Sequence, residues 1–473
     1  MISNKSKILV LIPDGVSLRN FAYTNFCELA KKNELEVVFW NLTPFDLETF
    51  GFRQIQLKHA RLHWLTTVFK NARKRIEIKG FAKQDKDSVY YKYLFPQSYK
   101  GIKNIMRSLL TNIVTYIFSS ESGLRFIRNI IHRLEQQTDY YKSCKVVLEE
   151  HKPDLVYCTS QRTVLAVAPI LAAQNMDIPT VSFVFSWDNL PKATLDVTAD
   201  FYHVWSQHMK DELLHYYPFI HKSQVQITGT PQFEIHYDKS NFLDRDEFCA
   251  TYDLDIKKTY ICFSGDDVTT SPKDELYLRD VAEAMRQLNN DRHDLGLIFR
   301  RCPVDFSNRY DAVIETYQDV IFPIHPEWKK IGGVWDTIMP LPEDLILLAS
   351  LAEHTEAVIN LGSSMVFDFA AHQKPCMYMN YNYLNVNNKP EKGVYVYDYV
   401  HFRSRPNNDV VLWLNHPDEI RENLKDLLKT NDNIIGNANQ WFKTINQLPP
   451  QLASSRILDN IVDIIAKTKP QKL

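Results

Sequence analysis

Glycine is scarce in this chain. Thirteen occur in 473 residues, and no two stand in G-x-G spacing. The Rossmann fingerprint G-x-G-x-x-G and the P-loop G-x-x-x-x-G-K-[ST] are therefore both missing, which argues against dehydrogenases and P-loop kinases. Cysteine is sparse and odd in number, seven with no C-x-x-C pair, and this suits a reducing compartment better than a disulfide framework. No uncharged apolar run approaches the ~18 residues of a spanning helix; residues 109–118 and 164–173 are the longest candidates. Met1–Lys7 leads directly into an apolar strand without a signal-peptide core, so a cytoplasmic protein is expected, at most peripheral at the inner face of the plasma membrane. A formal charge of −2 gives no global attraction to nucleic acid, and no such partner is expected. There is no G-x-S-x-G elbow, and His59 and His63 lack the glutamate of H-E-x-x-H. His203, His208, His215 and His221 lack ligand spacing, and the D-x-D pairs (Asp244/Asp246, Asp253/Asp255) lie in a polar connection. Neither a metal nor a cofactor is expected.

What the chain does contain is an alternation of apolar strands and helical segments, the pattern of parallel α/β sheets. Strands are predicted over 8–12, 36–40, 154–158, 180–185, 202–205 and 225–228, then over 259–264, 296–300, 320–322, 357–361 and 376–379. Between the two sets, 231–258 is polar and poor in strands. The reading is an α/β protein of two Rossmann-like domains facing a cleft: 1–235, interrupted by a basic helical insertion at 59–135, and 255–445. A helix in 446–473 is expected to pack back on the first domain. Within the insertion, residues 58–83 carry eight Lys or Arg against one Glu, interleaved with Trp64, Phe69 and Phe81. Such a stretch either lies on an anionic membrane surface or forms a solvated face over a structural helix.

The segment 342–397 carries the most chemistry. A helical run over 344–353 leads into the strand 357–361, which stops at Gly362-Ser363-Ser364 before a second helix starts at Met365. Amide N–H groups at such a turn hold phosphate oxygens, and Ser363 or Ser364 can cap the helix. Asp368 lies one turn further on the same face, positioned to accept from a ribose or sugar hydroxyl. The same Gly-Ser-Ser sequence is also an ordinary N-cap. Upstream, a strand ending in Arg300-Arg301 brings two guanidiniums to the rim of the sheet, suited to a diphosphate. Ser264-Gly265-Asp266-Asp267 forms a second small-residue turn. In the first half, Asp14 and Arg19 follow the first strand in Pro13-Asp14-Gly15, and Ser186-Trp187-Asp188-Asn189-Leu190 follows the strand over 180–185. Both stretches are either local turn chemistry or cleft lining; Trp187 favours the latter, because an indole stacks on sugars and bases.

Taken together, these residues resemble GT-B glycosyltransferases of bacterial surface-polysaccharide synthesis and the related CDP-glycerol glycerophosphotransferases. The likeness rests on Pro342-Glu343-Asp344, Ser363-Ser364, Asp368, Lys374-Pro375 and Gly393-Val394-Tyr395. It extends to Ser186–Leu190 with Lys192 downstream, to Val204–Lys210, and to the hinge-like Thr228-Gly229-Thr230-Pro231. It departs at Cys302, where the family's Arg-x-His-Pro pattern has histidine; His325 is a possible substitute or an ordinary loop residue. The resemblance implies metal-independent transfer of a sugar from a nucleotide-sugar donor to a surface polysaccharide or lipid-linked glycan acceptor. It implies a donor site of Glu343, Gly265, Arg300, Arg301, Gly362, Ser363, Ser364 and Asp368. Asp14 or Asp188 would serve as base, with Arg19, Trp187 and Asn189 on the acceptor. Polyol-phosphate transfer from CDP-glycerol and a non-catalytic nucleotide-sugar-binding scaffold are the rivals. A sugar-nucleotide epimerase is set aside, because the sequence offers no dense cluster of His, Glu and Asp.

Overall fold

The computed structural model describes residues 5–332, 337–385, 387, 389, 394–429 and 431–468. The chain divides into two compact units, one comprising 1–231, 399–401 and 445–473, the other 232–398 and 402–444.

The first unit begins β1 (Ser6–Ile12), α1 (Gly15–Ala22), α2 (Phe26–Lys32), β2 (Leu35–Asn41) and β3 (Gln54–Gln56). Three long helices follow, α3 (Thr66–Gln84), α4 (Ile102–Ile117) and α5 (Glu121–Gln136), then α6 (Asp139–His151). The chain continues through β4 (Leu155–Cys158), α7 (Val167–Gln174), β5 (Thr180–Phe183), β6 (Phe201–Val204), α8 (Gln207–Tyr216) and β7 (Val225–Ile227). All strands pair in parallel in the order β3-β2-β1-β4-β5-β6-β7. Their near-continuous apolar runs, such as Ile8–Ile12, follow from burial on both faces of a parallel sheet.

The second unit holds α9 (Arg245–Thr251), β8 (Thr259–Ser264), α10 (Asp274–Asn290), β9 (Leu295–Arg300), α11 (Asp311–Thr316) and β10 (Ile321–Ile324). A short antiparallel pair, β11 (Trp328–Lys330) with β12 (Ile338–Pro340), precedes α12 (Glu343–His354) and β13 (Val358–Asn360). Then come α13 (Met365–Ala371), β14 (Cys376–Met379), β15 (Leu412–Leu414), α14 (Ile420–Leu427) and α15 (Asp432–Ile445). Its parallel sheet has the order β10-β9-β8-β13-β14-β15. The chain closes with α16 (Ala453–Thr468). Among the described residues, no helix is long and apolar enough to cross a membrane.

The last helix is fastened to the first unit by polar contacts. Arg456 donates to the Thr228 carbonyl at 3.1 Å, and the buried His203 ring on β6 meets Asn460 Oδ1 at 2.8 Å. Burial pushes the His203 imidazole down to about 4, partly offset by the Asn460 bond. The neutral ring is therefore favoured in the fold, and its contribution is present above the unfolded value of 6.5 and lost as pH falls toward 4. His203→Gln removes this term. Its destabilisation relative to wild type is expected to shrink by up to about 3 kcal/mol between pH 6.5 and 4, measured by urea unfolding at each pH.

Candidate functional site

In the second unit the chain lays down β8, β9 and β10 outward on one side, then returns to add β13 on the other side of β8. Loops leaving the carboxyl ends of β8 and β13 therefore diverge, and ligands of open α/β sheets bind at such switch points. The turns there are Gly265-Asp266 and Gly362-Ser363-Ser364. Ser264 lies opposite Arg300 in register, so Arg300 and Arg301 stand at the same edge.

Gly362 is required by the backbone. Its φ is +70°, and a Cβ would meet Val396 at 3.0 Å and the rings of Phe402 and Tyr397 at 3.2 Å. The turn is braced by Ser363 N–H donating to Asn360 Oδ1 (2.8 Å) and the Tyr378 hydroxyl donating to the Ser363 carbonyl (2.8 Å). Gly362→Ala is expected to cost about 1–3 kcal/mol, read as a lowered thermal midpoint.

The expected phosphate cradle is altered in detail. Ser363 Oγ accepts from Met365 N–H at 3.3 Å, while Ser364 makes no capping bond. Val366 and Phe367 N–H already donate to the carbonyls of Ser363 and Ser364, so these amides are committed within the turn. Gly265 sits against β9, its N–H donating to the Arg300 carbonyl, and a Cβ there would lie 3.1 Å from the Phe299 ring.

The arginines are also held by the protein. Arg300 is buried, and its Nη2 donates to both oxygens of Asp344 (3.0 and 3.1 Å), which further accepts from Trp328 Nε1 (2.7 Å) and Glu327 N–H (3.0 Å). The inward acidic residue at the start of α12 is thus Asp344. Glu343, expected in the donor set, is exposed. Arg301 donates to the Ser307 carbonyl at 2.8 Å. Yet Nε of both Arg300 and Arg301 is buried with no hydrogen-bond partner among the described residues. A buried guanidinium N–H without an acceptor is costly and uncommon. Cys302 is a half-buried thiol whose pKa desolvation pushes up to about 12, and it offers no substitute for a donor imidazole. Gly393 lies outside the described residues.

Asp368 does not present an open carboxylate. It is buried, and its Oδ1 meets His236 Nε2 at 2.8 Å. His236 Nδ1 in turn lies 2.9 Å from His372 Nε2, whose Nδ1 lies 2.7 Å from Glu353 Oε2. Burial, then the neighbouring His236, hold the His372 imidazole down to about 4. The sequence shows no dense cluster of His, Glu and Asp, whereas the fold joins these four residues from positions up to 136 apart in the chain.

In the first unit the corresponding switch point lies between β1 and β4. Asp14 caps α1, its Oδ1 accepting from Ser17 N–H at 2.8 Å, and is only 1% exposed. That is cap geometry, and it leaves the carboxylate poorly placed to serve as an acceptor's base. Arg19 Nε contacts Asn20 Oδ1 at 3.3 Å. Gln161, after β4, is a hub that sequence reasoning missed: its Oε1 accepts from Phe185 N–H (2.7 Å) and its Nε2 donates to Asn189 Oδ1 (3.2 Å). Asn189 in turn donates to Asp188 (2.7 Å), which is ion-paired with Lys192. Trp187 is buried, its ring perpendicular to that of His401 at 4.8 Å, and burial leaves little of the indole for stacking. Burial raises the Asp188 pKa, but Lys192, His401 and hydrogen bonds outweigh it and hold the carboxyl far below the usual range. Asp188 is therefore ionised at any working pH and a weak proton acceptor, which counts against the base role expected of it.

No protein-family model and no curated protein sequence matches the chain. Solved structures do. The chain is similar to Staphylococcus aureus MnaA, solved with UDP, at 14% identity and a TM-score of 0.52, over 99% of this chain and 100% of that one. A putative UDP-N-acetylglucosamine 2-epimerase from Listeria monocytogenes matches at 12% identity and 0.53, over 99% of each chain. A glycosyltransferase from Rickettsia africae ESF-5 matches at 12% and 0.51, over 98% and 99%. The fold is GT-B. At these identities the likeness extends to the fold alone, and one architecture serves several chemistries.

Proposed function

We propose that this chain is a glycosyltransferase that moves a sugar from a nucleotide-sugar donor to a surface polysaccharide or lipid-linked glycan acceptor. The observation that carries the reading is the pair of unsatisfied Nε–H groups of Arg300 and Arg301, which stand where β9 ends, beside the end of β8. Two fixed cationic donors at a switch point suit a pyrophosphate and stabilise it as it leaves, without calling on a metal. Ser364's uncapped hydroxyl supplies a further donor. The acceptor is assigned to the β1/β4 edge of the first unit. There Asp188 with Lys192 orders the loop, and Asp14 caps α1. The reading places the enzyme in the cytoplasm, peripheral at the inner face of the plasma membrane.

A thermal-shift panel of UDP, GDP, CDP, their sugars and CDP-glycerol tests this, since a ligand of the native state raises stability by mass action. One nucleotide series is expected to stabilise the chain, and Arg301→Ala to abolish the shift. No response to any nucleotide diphosphate would overturn the reading, and a response to CDP-glycerol alone would replace it with polyol-phosphate transfer. The cluster of His236, Asp368, His372 and Glu353 favours one second reading, epimerisation of the donor sugar. Incubating the stabilising nucleotide-sugar without acceptor separates the two, because only the epimerase reading yields an epimer.

A further inference from the structure

The helix α4 is inverted. The residues it buries are Ser108, Thr111 and Thr115, while Ile102, Met106, Leu109, Ile113 and Tyr116 face outward, Ile102 at 77% and Tyr116 at 86% exposure. These outward residues recur every three or four positions and form one continuous apolar stripe. Single exposed apolar residues are ordinary, but a contiguous stripe marks a surface that something covers. On the inward face, Ser108 Oγ donates to the Ser98 carbonyl (2.9 Å) and Thr115 Oγ1 donates back to the Thr111 carbonyl of its own helix (2.7 Å).

A cavity of about 430 Å³ lies on the inner flank of the same helix. Lys70, Lys74 and Arg75 of α3, Arg107 of α4 and Arg162 line it. Its lining carboxylate, Asp196, is already paired with Arg73 at 2.6 Å, with Lys70 at 3.7 Å. The cations therefore outnumber their counter-charge. Burial pulls the Lys74 ammonium down to about 8, and the neighbouring Lys70, Lys192 and Arg162 add to the effect against the pull of Asp196. Phe95, 79% exposed, also lines the cavity, its ring 5.6 Å from Lys74 Nζ.

We propose that this cavity is a lipid-phosphate site, and that α4 lies along an anionic bilayer with its apolar stripe among the acyl chains. Positive charge beside an apolar helix face is the combination that binds anionic lipid surfaces, one part supplying headgroup attraction and the other burial. The proposal deepens the membrane placement given above and is independent of the donor chemistry, which rests on the second unit.

Co-sedimentation of the full chain with vesicles tests it, using phosphatidylcholine alone and phosphatidylcholine containing phosphatidylglycerol. Binding is expected only to the anionic vesicles. Leu109→Glu, Ile113→Glu and Lys74→Glu are each expected to weaken binding to the anionic vesicles at least tenfold. All three variants should keep the wild-type melting profile and the nucleotide response, which separates a failure here from a failure of the donor reading. Equal binding to neutral vesicles, binding indifferent to Leu109→Glu and Ile113→Glu, or no binding would each overturn the proposal. So would a Lys74-dependent thermal shift with inorganic pyrophosphate in a chain that ignores vesicles, because the site would then serve a soluble anion.

Discussion

Asp344→Asn is expected to lower the stability of the second unit by about 3–5 kcal/mol, a fall of roughly 10 °C in its thermal midpoint. The substitution preserves shape but strips the charge that Arg300 Nη2 contacts through both oxygens. Arg300 then remains buried with no paired anion and with its Nε already unsatisfied. Breaking one partner of a buried pair costs far more than replacing both, because the residual charge stays desolvated. Arg300→Met combined with Asp344→Leu should therefore recover part of the lost stability, the rest being lost with the bonds that Trp328 Nε1 and Glu327 N–H make to Asp344. The two variants are expected to diverge in function. Asp344→Asn, with its guanidinium released from a competing carboxylate, should gain more from the stabilising nucleotide diphosphate than wild type does. The double variant should lose that response. Equal nucleotide response in wild type and the double variant would remove Arg300 from the donor site while leaving the stability argument intact.

The reason Asp344 escaped the sequence reading also explains what was legible and what was not. The apolar strands were readable because a strand buried on both faces has to be apolar throughout: 259–264 and 376–379 match β8 and β14 to the residue. The short strands β3, β11, β12 and β15 were not, since three residues such as Gln54-Ile55-Gln56 leave no periodic signal. The glycine and serine turn at 362–364 was legible as a strand-to-helix turn, because local backbone chemistry sets it. Side-chain partners were not legible. Glu343 and Asp344 are indistinguishable in sequence, and only the rotation of α12 decides which one turns inward to Arg300. The pairing of His236 with Asp368 spans 132 residues and joins a polar connecting segment to a helix, and no local spacing encodes it. The same holds for Gln161, whose two amide contacts reach Phe185 and Asn189 across separate loops. The motifs therefore located the edges of the sheets where chemistry is expected, while tertiary packing reassigned the roles of the charged residues within them.

The second large effect is expected in the first unit, from Arg73→Met. Arg73 is 2% exposed, donates to the Leu195 carbonyl and to Asp196 Oδ1 at 2.6 Å, and lies 4.0 Å from Glu77, itself 2% exposed. Glu77 is also paired with Arg128, at 2.5 Å. Methionine fills much of the same volume, so the loss is chiefly electrostatic: two carboxylates are left in the interior with one nearby guanidinium removed. About 3–5 kcal/mol of stability should disappear at pH 7. The pH dependence identifies the cause. Burial already holds the Glu77 carboxyl above its ordinary value despite both arginines, and removing one of them raises it further. A carboxyl whose folded pKa is raised binds its proton more readily in the native state, so stability lost at pH 7 returns as pH falls toward the unfolded value. Urea unfolding of Arg73→Met between pH 7 and 5 should thus narrow the gap to wild type, and adding Glu77→Gln should make the gap nearly independent of pH. A gap that stays constant in the single variant would mean that Arg73 holds α3 by packing and its bond to Leu195. The floor beneath the cationic cavity would then owe nothing to charge balance.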